Sequence, residues 1–278
     1  MRTGYVPFLL VGVNGLGLWL VSRGASKLAL VAVLLAVLGL SFLIERLVPY
    51  EPEWNVSRGD SGRDVIHALV NEGAILASLW AMPALAASVS LTALWPTSLP
   101  FVVQVLLAVL VADAGITLGH WLSHRQPMLW RLHSVHHSVE RFYGLNGLMK
   151  HPLHQAFELT LAMTPLLLVG VTTEVATALA FVTFVQLVLQ HSNVDTTVGP
   201  LRWLLATNEP HRFHHLRWPG IGDVNFGLFT CLWDHLLGTY SYDPARRFTS
   251  SDLGIAAQPD FPSDYLAQLR HPFRQAVA

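Results

Sequence analysis

Charged residues and cysteine are both scarce in this chain of 278 residues. Asp, Glu, Lys and Arg together make up 13% of the sequence, well below the share of about 25% in soluble domains. The single cysteine, Cys231, excludes an intrachain disulfide framework and a thiolate cage for a metal ion. The formal net charge of −1 excludes the strongly basic surface of a nucleic-acid-binding protein. Any bound metal ion must therefore be held by imidazole or carboxylate groups.

Hydrophobic residues make up 52% of the sequence and are concentrated in long uncharged runs. The runs at 3–22 and 28–44 have about the length of a membrane-spanning helix. The first run lacks the small-residue cleavage site of a signal peptide, so we expect it to be retained. Residues 45–63 are polar and are predicted to form a loop.

The uncharged run 73–112 is too long for a single membrane helix. The prolines in segment 95–100 divide it. We expect one helix that starts near Val65 and a second that ends near His124.

Two further uncharged runs, 159–173 and 175–194, are separated by Glu174. This pattern predicts a tight helical hairpin. Both runs are short and Pro165 is expected to interrupt the first, so the hairpin is either re-entrant or fully spanning.

The distribution of Lys and Arg predicts the orientation in the membrane. The loop between the third and fourth helices has neither residue, whereas the segments before and after that helix pair carry several. Positive residues favour the cytoplasmic side, where all the histidine clusters described next would then lie. Arg23 and Lys27 fall on the opposite side in this arrangement. The composition, rich in Ala, Leu and Val, favours a bacterial inner membrane.

Eight of the fourteen histidines lie in three short clusters that flank the uncharged runs. Each cluster contains a pair four residues apart, a spacing that places two side chains on one face of a helix. Eight imidazoles suit two transition-metal ions, and iron, zinc, copper and nickel all accept imidazole. A pH-sensing histidine patch does not account for the repeated spacing. The predicted ligands are His120, His124, His133, His136, His137, His211, His214 and His215.

Taken in order, these residues resemble the fatty acid hydroxylase/sterol desaturase superfamily of integral-membrane, histidine-rich di-iron enzymes. The resemblance runs from about Asp113 to Tyr240, nearly half of the chain. Segment 124–133 is similar to the link between the first two family motifs, and His136-His137-Ser138 is similar to the end of the second. The third motif and its closing signature are matched by His211, His214, His215, Asn225-Phe226-Gly227, Trp233-Asp234 and Gly238-Thr239.

The resemblance implies an all-α, polytopic integral membrane protein, a helical bundle with a cytosolic histidine-rich metal-binding cap. Three parts are expected. Residues 1–63 form an N-terminal pair of membrane helices and a cytosolic loop. Residues 64–242 form the catalytic domain, with four membrane helices and the cap. Residues 243–278 form a peripheral tail.

The implied activity is that of a membrane-bound, non-haem di-iron oxygenase. It hydroxylates an unactivated C–H bond of a lipid, either a sterol, a fatty acyl chain or a related molecule. Two Fe ions are the implied cofactor and O2 is the co-substrate, while zinc can replace iron on heterologous expression. No haem-binding or flavin-binding motif is present, so an external electron donor of ferredoxin or cytochrome type is implied. The expected partners are thus the lipid substrate, this donor and the bilayer, without nucleic acid.

The resemblance also extends the set of site residues. His191 belongs to a His-Ser-Asn element that often supplies an extra ligand, and we expect it to be the ninth. A metal-bound histidine usually donates its second N–H to a carboxylate or carbonyl group, and Asp113, Asn193 and Asp234 are predicted to support the ligands in this way. No catalytic side chain beyond the metal ligands and no residue that binds an organic cofactor is predicted.

One position departs from the family pattern. His154 occupies a place where the family often has an acidic residue, and we expect it to support a ligand rather than to bind metal itself. His151 is expected to be structural. Glu72 lies at the edge of an apolar stretch, where an ionisable residue is costly, but its pattern assigns it no role in substrate binding. The histidines left out of the site are His67, His235 and His271.

Two alternatives remain open at this point. The same di-iron site would serve a lipid or sterol desaturase. A non-catalytic membrane metal-binding protein, filled with zinc, would keep the same ligands. Substrate identity, the oxidised position, the redox partner and the oligomeric state do not follow from the sequence.

Overall fold

The computed structural model describes residues 1–89 and 94–274, and within these ranges the chain forms helices and no strand. Two isolated β-bridges, Pro49–Val194 and Leu205–Thr230, occur in the described part. The predicted all-α class is therefore confirmed. The helices are α1 (Tyr5–Ser22, with a π-helical turn at Phe8–Val13), α2 (Lys27–Leu47), α3 (Ser61–Val89), α4 (Phe101–Arg125), α5 (Pro127–His137), α6 (Pro152–Leu168), α7 (Thr173–His191), α8 (Asn208–His214), α9 (Leu232–Leu237) and α10 (Tyr265–Arg270).

Five helices are long and apolar enough to cross a membrane: α1, α2, the part Ser61–Ala84 of α3, α4 and α7. This agrees with the predicted polytopic membrane protein. The segment with Pro96 and Pro100 separates α3 from α4, as expected. Helix α6 has 17 residues, at the lower end of the range of about 17–25 for a spanning helix, and is not one of these five.

The predicted hairpin is present as α6 and α7, but α6 begins seven residues before the predicted start at 159. Proline suits the first turn of a helix, and Pro152 occupies it here. Glu158 lies inside the helix, where it pairs with Lys150. Because its charge is paired, Glu158 does not end the helix. The beginning of the uncharged run at 159 was therefore a wrong guide to the start of α6.

Pro165 does not interrupt α6, contrary to the prediction. It lies in the last turn, where the loss of one backbone hydrogen bond costs little of the helix. Gly170 then adopts a φ of 81°, a left-handed conformation that glycine accepts readily. Thr172 caps α7 through the Val175 amide, so the connection is as tight as the sequence predicted.

Helix α7 is the centre of the helical bundle. In its apolar window 72% is buried, against 22–33% in the other four candidate spans. Helix α1 approaches it closely at Gly17, where a Cβ atom would overlap the Phe181 ring. Helices α1 and α2 are joined by a hydrogen bond of 2.7 Å between the Tyr5 and Ser41 hydroxyls. The N-terminal helices thus pack on α7.

Helices α4 and α6 cross at a pair of glycines spaced as in a GxxxG motif. A Cβ atom on Gly115 would lie 2.5 Å from the Leu161 carbonyl oxygen, and one on Gly119 would lie 3.0 Å from the Leu161 side chain. Small residues at such positions let two membrane helices approach closely. This contact positions the end of α4 that carries His120 and His124.

The polar cap is built on the ends of α3, α4 and α7. Its apolar core contains Trp54, Phe142, Phe213 and Phe248. Arg141 connects it to the end of the 48–60 loop through the Asp60 carboxylate at 2.7 Å and the Trp54 carbonyl at 3.2 Å.

The C-terminal segment lies against this cap over residues 243–274. Phe248, Leu253 and Ile255 are buried, and the Gln268 side-chain oxygen is 2.8 Å from Nε2 of His67. The last four residues of the predicted tail, 275–278, lie outside the described part.

Candidate metal centre

Nine buried or nearly buried histidines converge where α4, α5, α7 and α8 meet. They are the nine that the sequence singled out as ligands. In each of two groups, one nitrogen per ring lies within 4.8 Å of the corresponding nitrogens of the other rings. The first group is His120, His124, His133, His137 and His214, and the second is His136, His191, His211 and His215.

Helical spacing explains how the groups are filled. Residues four apart share a helix face, and each such pair stays together: 120 with 124, 133 with 137, and 211 with 215. The third member of the second and third clusters points to the other group. His136 therefore leaves the pair on α5, and His214 leaves the pair that begins on α8. The two groups interlock, since α5 and the segment 208–215 contribute to both.

The facing nitrogens are about as far apart as ligands of one ion. The Nε2 atoms of His120 and His133 are 3.0 Å apart, and those of His137 and His214 are 2.9 Å apart. In the second group the distance from His191 to His211 is 3.1 Å. Two imidazole nitrogens that bind one ion at right angles and about 2.1 Å lie about 3.0 Å apart.

In several of these rings, one nitrogen faces the centre of its group, and a hydrogen bond made by the other nitrogen orients the ring. In His136 and His191, Nδ1 lies 3.0 Å from the carbonyl oxygens of Met149 and Leu187, respectively. A carbonyl only accepts, so each Nδ1 donates, and a neutral imidazole has no further proton for Nε2. Yet these two Nε2 atoms face each other at 3.2 Å. Two lone pairs in that position require a cation between or beside them, and this is the observation that best fits a metal ion.

The first group has supports of the same kind. His120 donates through Nδ1 to the Phe226 carbonyl oxygen at 2.9 Å. His214 donates through Nδ1 to the Val224 carbonyl oxygen at 2.8 Å. Nδ1 of His124 lies 2.8 Å from the Asp223 carboxylate. A carboxylate or carbonyl behind a ligating histidine fixes the ring and raises its basicity.

His215 shows the need for a further partner most directly. Both of its ring nitrogens are buried and have no hydrogen-bond partner. An unpaired buried polar group costs about 1–3 kcal/mol, and a metal ion bound to one ring nitrogen would remove one of these two unpaired groups. His215 faces His136 with ring centroids 4.7 Å apart.

Burial also sets the protonation of the cap histidines. Removal from water lowers the pKa of each of these rings well below the ordinary histidine value, because the charged form loses its hydration. Neighbouring histidines lower the pKa further. These residues are therefore neutral near pH 7, which is the form that binds metal. They are His133, His136, His137, His211, His214 and His215.

Asp113 and Asp234 support the site indirectly, through backbone amides. This corrects the expectation that they accept hydrogen bonds from the ligands themselves. Asp113 accepts from the amides of Leu228, Phe229 and Thr230. It lies two helical turns, about 10 Å, before His120, too far to meet that ring. Asp234 accepts from the amides of residues 226 and 227 at 2.8 Å each. Both carboxylates thereby hold the loop whose carbonyl group receives the His120 N–H.

Asn193 is also placed differently from the expectation. Its side chain bonds to the backbone of Glu51 at 3.0 and 2.9 Å and to the Asn55 side chain at 3.1 Å. It therefore ties the end of α7 to the 48–60 loop, and none of these hydrogen bonds goes to a histidine of the two groups.

His154 lies behind the first group and outside both sets of facing nitrogens. Its ring centroid is 4.4 Å from that of His133, and its Nε2 is 2.9 Å from the Ser123 hydroxyl. The contact fits the expected supporting position. His151 lies at the start of α6, where it accepts from the Leu153 amide, in line with a structural role.

Sequence patterns did not point to Asp223, although its carboxylate contacts the proposed ligand His124 directly. The hydrogen bond from His124 lowers the pKa of its carboxyl group. Asp223 follows a short turn, and its other oxygen accepts from the Gly220 amide. It has no regular spacing to any histidine, so no helical pattern points to it.

Two openings lie next to the histidine groups. A cleft of about 200 Å³ in the cap is lined by His124, His137 and His214, together with Trp130 and Trp218. A second cavity, of about 380 Å³, lies between α3, α4, α6 and α7 and is lined mainly by apolar side chains. The centre can thus be reached from the cap, and an apolar cavity lies among the membrane helices beneath it.

Comparison with known proteins agrees with this arrangement. A sequence profile described as fatty acid hydroxylase matches residues 105–239. Ornithine lipid hydroxylase OlsE of Rhizobium tropici is 34% identical over 250 residues, which are 87% of this chain and 74% of that protein. Alkylglycerol monooxygenase of Danio rerio is 32% identical over 135 residues, or 49% of this chain, and that of Homo sapiens is 30% identical over 133 residues, or 48%. No solved structure matches the chain.

The extent of these matches differs. The likeness to the ornithine lipid hydroxylase covers most of both proteins, whereas the likeness to the two alkylglycerol monooxygenases covers 30% and 29% of their length. The family profile encloses all nine clustered histidines and both loop-holding aspartates. With a metal-binding histidine centre among membrane-spanning helices, the chain belongs to the fatty acid hydroxylase family.

Proposed function

We propose that this protein is a membrane-bound di-iron monooxygenase that hydroxylates a C–H bond of a lipid. The observation that carries the proposal is the pair of Nε2 lone pairs, on His136 and His191, that face each other within a buried group of four imidazoles. Five further imidazoles form a second group beside it. Nitrogen ligands in these numbers suit two iron ions, and the apolar cavity below offers room for a lipid.

The named relatives favour hydroxylation over desaturation. One is called a lipid hydroxylase and others are called monooxygenases, and nothing in the site distinguishes a desaturase. The nine histidines are proposed as the ligands, His154 as a support behind His133, and the loops held by Asp113 and Asp234 as supports of the His120 ring. Bound iron would supply the activation of O2 and the oxidation of the lipid.

The residues of the chain supply position and environment. Burial keeps the imidazoles neutral and limits the access of water to the two groups. The cavity between α3, α4, α6 and α7 holds the lipid below them. We place the cap on the cytoplasmic side of a bacterial inner membrane, where a ferredoxin or cytochrome-type protein delivers electrons.

The test is metal and product analysis of the full-length protein. The chain is purified in lipid nanodiscs from iron-supplemented cells, and metal is measured per chain. It is then supplied with ¹⁸O2 and a chemical reductant together with a bacterial lipid extract. We expect about two irons per chain, as the two nitrogen groups predict, and lipids that carry one ¹⁸O atom.

The control is a double variant, His136→Ala with His214→Ala, which removes one imidazole from each group. It should lose most of the iron and all of the labelled product. Iron unaffected by the double substitution would refute the ligand assignment. Two bound metals without labelled product in the iron-loaded wild-type protein would favour the non-catalytic metal-binding alternative.

A further inference from the structure

The apolar cavity has a polar end that neither the metal groups nor the fold accounts for. Most of the lining consists of aliphatic and aromatic side chains from the membrane helices, among them Leu79, Met82 and Leu179. Its volume of about 380 Å³ lies at the small end of ligand pockets, which span about 300–1,000 Å³. It therefore fits one hydrocarbon chain with a small polar group, rather than a whole two-chain lipid.

The polar end is formed by Glu72, Lys150, Gln155 and Glu158, all of which line the cavity. Lys150 and Glu158 form an ion pair of 2.5 Å, so each has a partner. Gln155 donates to the Asn71 carbonyl oxygen. Glu72 is different, because its Oε1 atom is buried and has no hydrogen-bond partner.

The polar end lies next to the histidine groups. Leu187 lines the cavity, and its carbonyl oxygen accepts from His191. Lys150 also lines it and directly follows Met149, whose carbonyl oxygen accepts from His136. A polar group bound here would thus lie just below the four-histidine group, with its hydrocarbon chain directed away from it.

With Glu72 ionised, the charges at this end do not balance. Glu72 and Glu158 are two carboxylates, and Lys150 is the one cation among the four polar residues that line this end. Lys150 lies close enough to Glu72 to act on it electrostatically, but its ammonium group is bound to Glu158. An unpaired charge in an apolar environment is costly. One additional cation with N–H donors would neutralise the cluster and give Oε1 of Glu72 its missing partner.

We propose that the cavity binds a lipid that carries a primary amine, with the ammonium group at Glu72 and one hydrocarbon chain between α3, α6 and α7. The inference rests on the proposed function, since it names the substrate class of the same site. It also predicts the position of oxidation. The C–H bonds nearest the histidine groups belong to carbons close to the amine, so hydroxylation occurs near the polar end and not near the chain terminus.

The first experiment measures binding without catalysis. Zinc-loaded protein is used, because zinc has no redox chemistry, in nanodiscs of phosphatidylcholine. Hexadecylamine and N-acetylhexadecylamine are the probes, and native mass spectrometry gives the fraction of protein that holds each. Charge-assisted hydrogen bonds predict that the amine is preferred by about tenfold or more. Equal binding of the two probes by the wild-type protein would overturn the proposal.

Variants of Glu72 locate the preference. Glu72→Gln should abolish it, while Glu72→Asp keeps the carboxylate and should keep the preference at lower affinity. Glu174→Gln is the matched control, because Glu174 is an exposed carboxylate at the opposite end of α7. Zinc content and thermal unfolding verify that each variant is folded. A preference that survives Glu72→Gln contradicts the placement of the amine.

In the second experiment, iron-loaded protein is supplied with hexadecylamine, ¹⁸O2 and a chemical reductant. Tandem mass spectrometry then locates the ¹⁸O atom in the product lipid. A hydroxyl on a carbon close to the amine supports the inference, and one near the chain terminus contradicts it while leaving the proposed hydroxylase intact. Conversely, amine-selective binding by a protein that never incorporates ¹⁸O would refute the proposed function and not the binding site.

Discussion

Individual imidazoles in the centre are held from both sides, by facing nitrogens in front and by an oxygen acceptor behind. His120, for example, faces His133 through Nε2 and donates through Nδ1 to the Phe226 carbonyl oxygen. The five rings with such an acceptor, at positions 120, 124, 136, 191 and 214, are thereby fixed before any ion binds. Because the rings are oriented in advance, the contribution of a single histidine to metal binding can be tested by substituting that residue alone.

The division into two groups can be tested with one substitution in each. His211→Ala removes a ligand from the group of four, and His214→Ala, three residues away, removes one from the group of five. We expect each variant to lose about one of two bound ions. The damaged group lacks one of its nitrogen ligands and binds its ion more weakly, whereas the other group is intact. Iron per chain, measured by mass spectrometry, gives the result.

His235→Ala serves as the control for both, because His235 is exposed, belongs to neither group, and has its side chain hydrogen-bonded to the Trp203 carbonyl oxygen. It should retain the full iron content. If His211→Ala and His214→Ala each release both ions, the two groups act as one site and the division is wrong.

Asp223 offers a test of support from behind a ligand. In Asp223→Asn the carboxylate that accepts the His124 N–H becomes a neutral amide, and the ring loses orientation and basicity. Loss of such a partner typically weakens metal affinity by roughly 10- to 100-fold. Competition with a chelator measures the affinity. Asp243→Asn, at an exposed carboxylate of the C-terminal segment, should leave it unchanged, and an equal loss in both variants would contradict the assignment.

Sequence spacing located eight of the nine histidines and the family resemblance added His191, but neither predicted their division into two groups. The four-residue spacing indicates which rings share a face of their own helix, so the pairs 120/124, 133/137 and 211/215 were readable. The assignment of His136 and His214 to opposite groups depends on how α5 and α8 are oriented towards each other. Asp223 and the acceptor carbonyl groups lie in loops, where no periodicity connects them with their histidines.

At the scale of helices, the contact between α4 and α6 positions the first two ligands. Gly115→Ala introduces a Cβ atom 2.5 Å from the Leu161 carbonyl oxygen, so the helices must separate. Overpacking of this kind costs about 1–3 kcal/mol. We expect a lower midpoint of thermal unfolding and reduced iron content, because the end of α4 carries His120 and His124.

The matched substitution is Gly39→Ala on α2, where a Cβ atom meets nothing within 4 Å. Alanine is favoured over glycine in a helix by about 1 kcal/mol, so this variant should be as stable as the wild type or slightly more stable. A Gly115→Ala protein with unchanged stability and iron content would show that the helices yield without cost.

Hydrophobic runs predicted the existence of the helices better than their ends. The charge at Glu158 placed the start of α6 too late, because its partner Lys150 comes from the preceding loop and is visible only in three dimensions. Pro165 suggested an interruption, yet its effect depends on its distance from the helix end. Long-range pairing and position within the element, which local patterns do not contain, decide both cases.

On the scale of the whole molecule, the two openings differ in their surroundings. The cavity with the polar end lies between membrane helices, whereas the cleft at His124 and His137 lies in the cap. Under the proposed function, the lipid approaches from the bilayer and the electron donor approaches the cap. This division requires that the cap face the compartment that contains the donor.

Single cysteines determine which compartment that is. Helix α4 has 25 residues, about 37 Å at 1.5 Å per residue, so Ser98 before it and the histidine cap after it lie near opposite faces of the membrane. In a Cys231→Ser background, Ser98→Cys and Ser251→Cys each place one exposed thiol, the second on the cap side. In intact bacterial spheroplasts, a membrane-impermeant maleimide should label Ser98→Cys readily and Ser251→Cys only after lysis. Iron content equal to that of the wild-type protein verifies that each variant is folded. The reverse labelling pattern would place the histidine groups outside the cytoplasm and exclude a cytosolic ferredoxin as the donor.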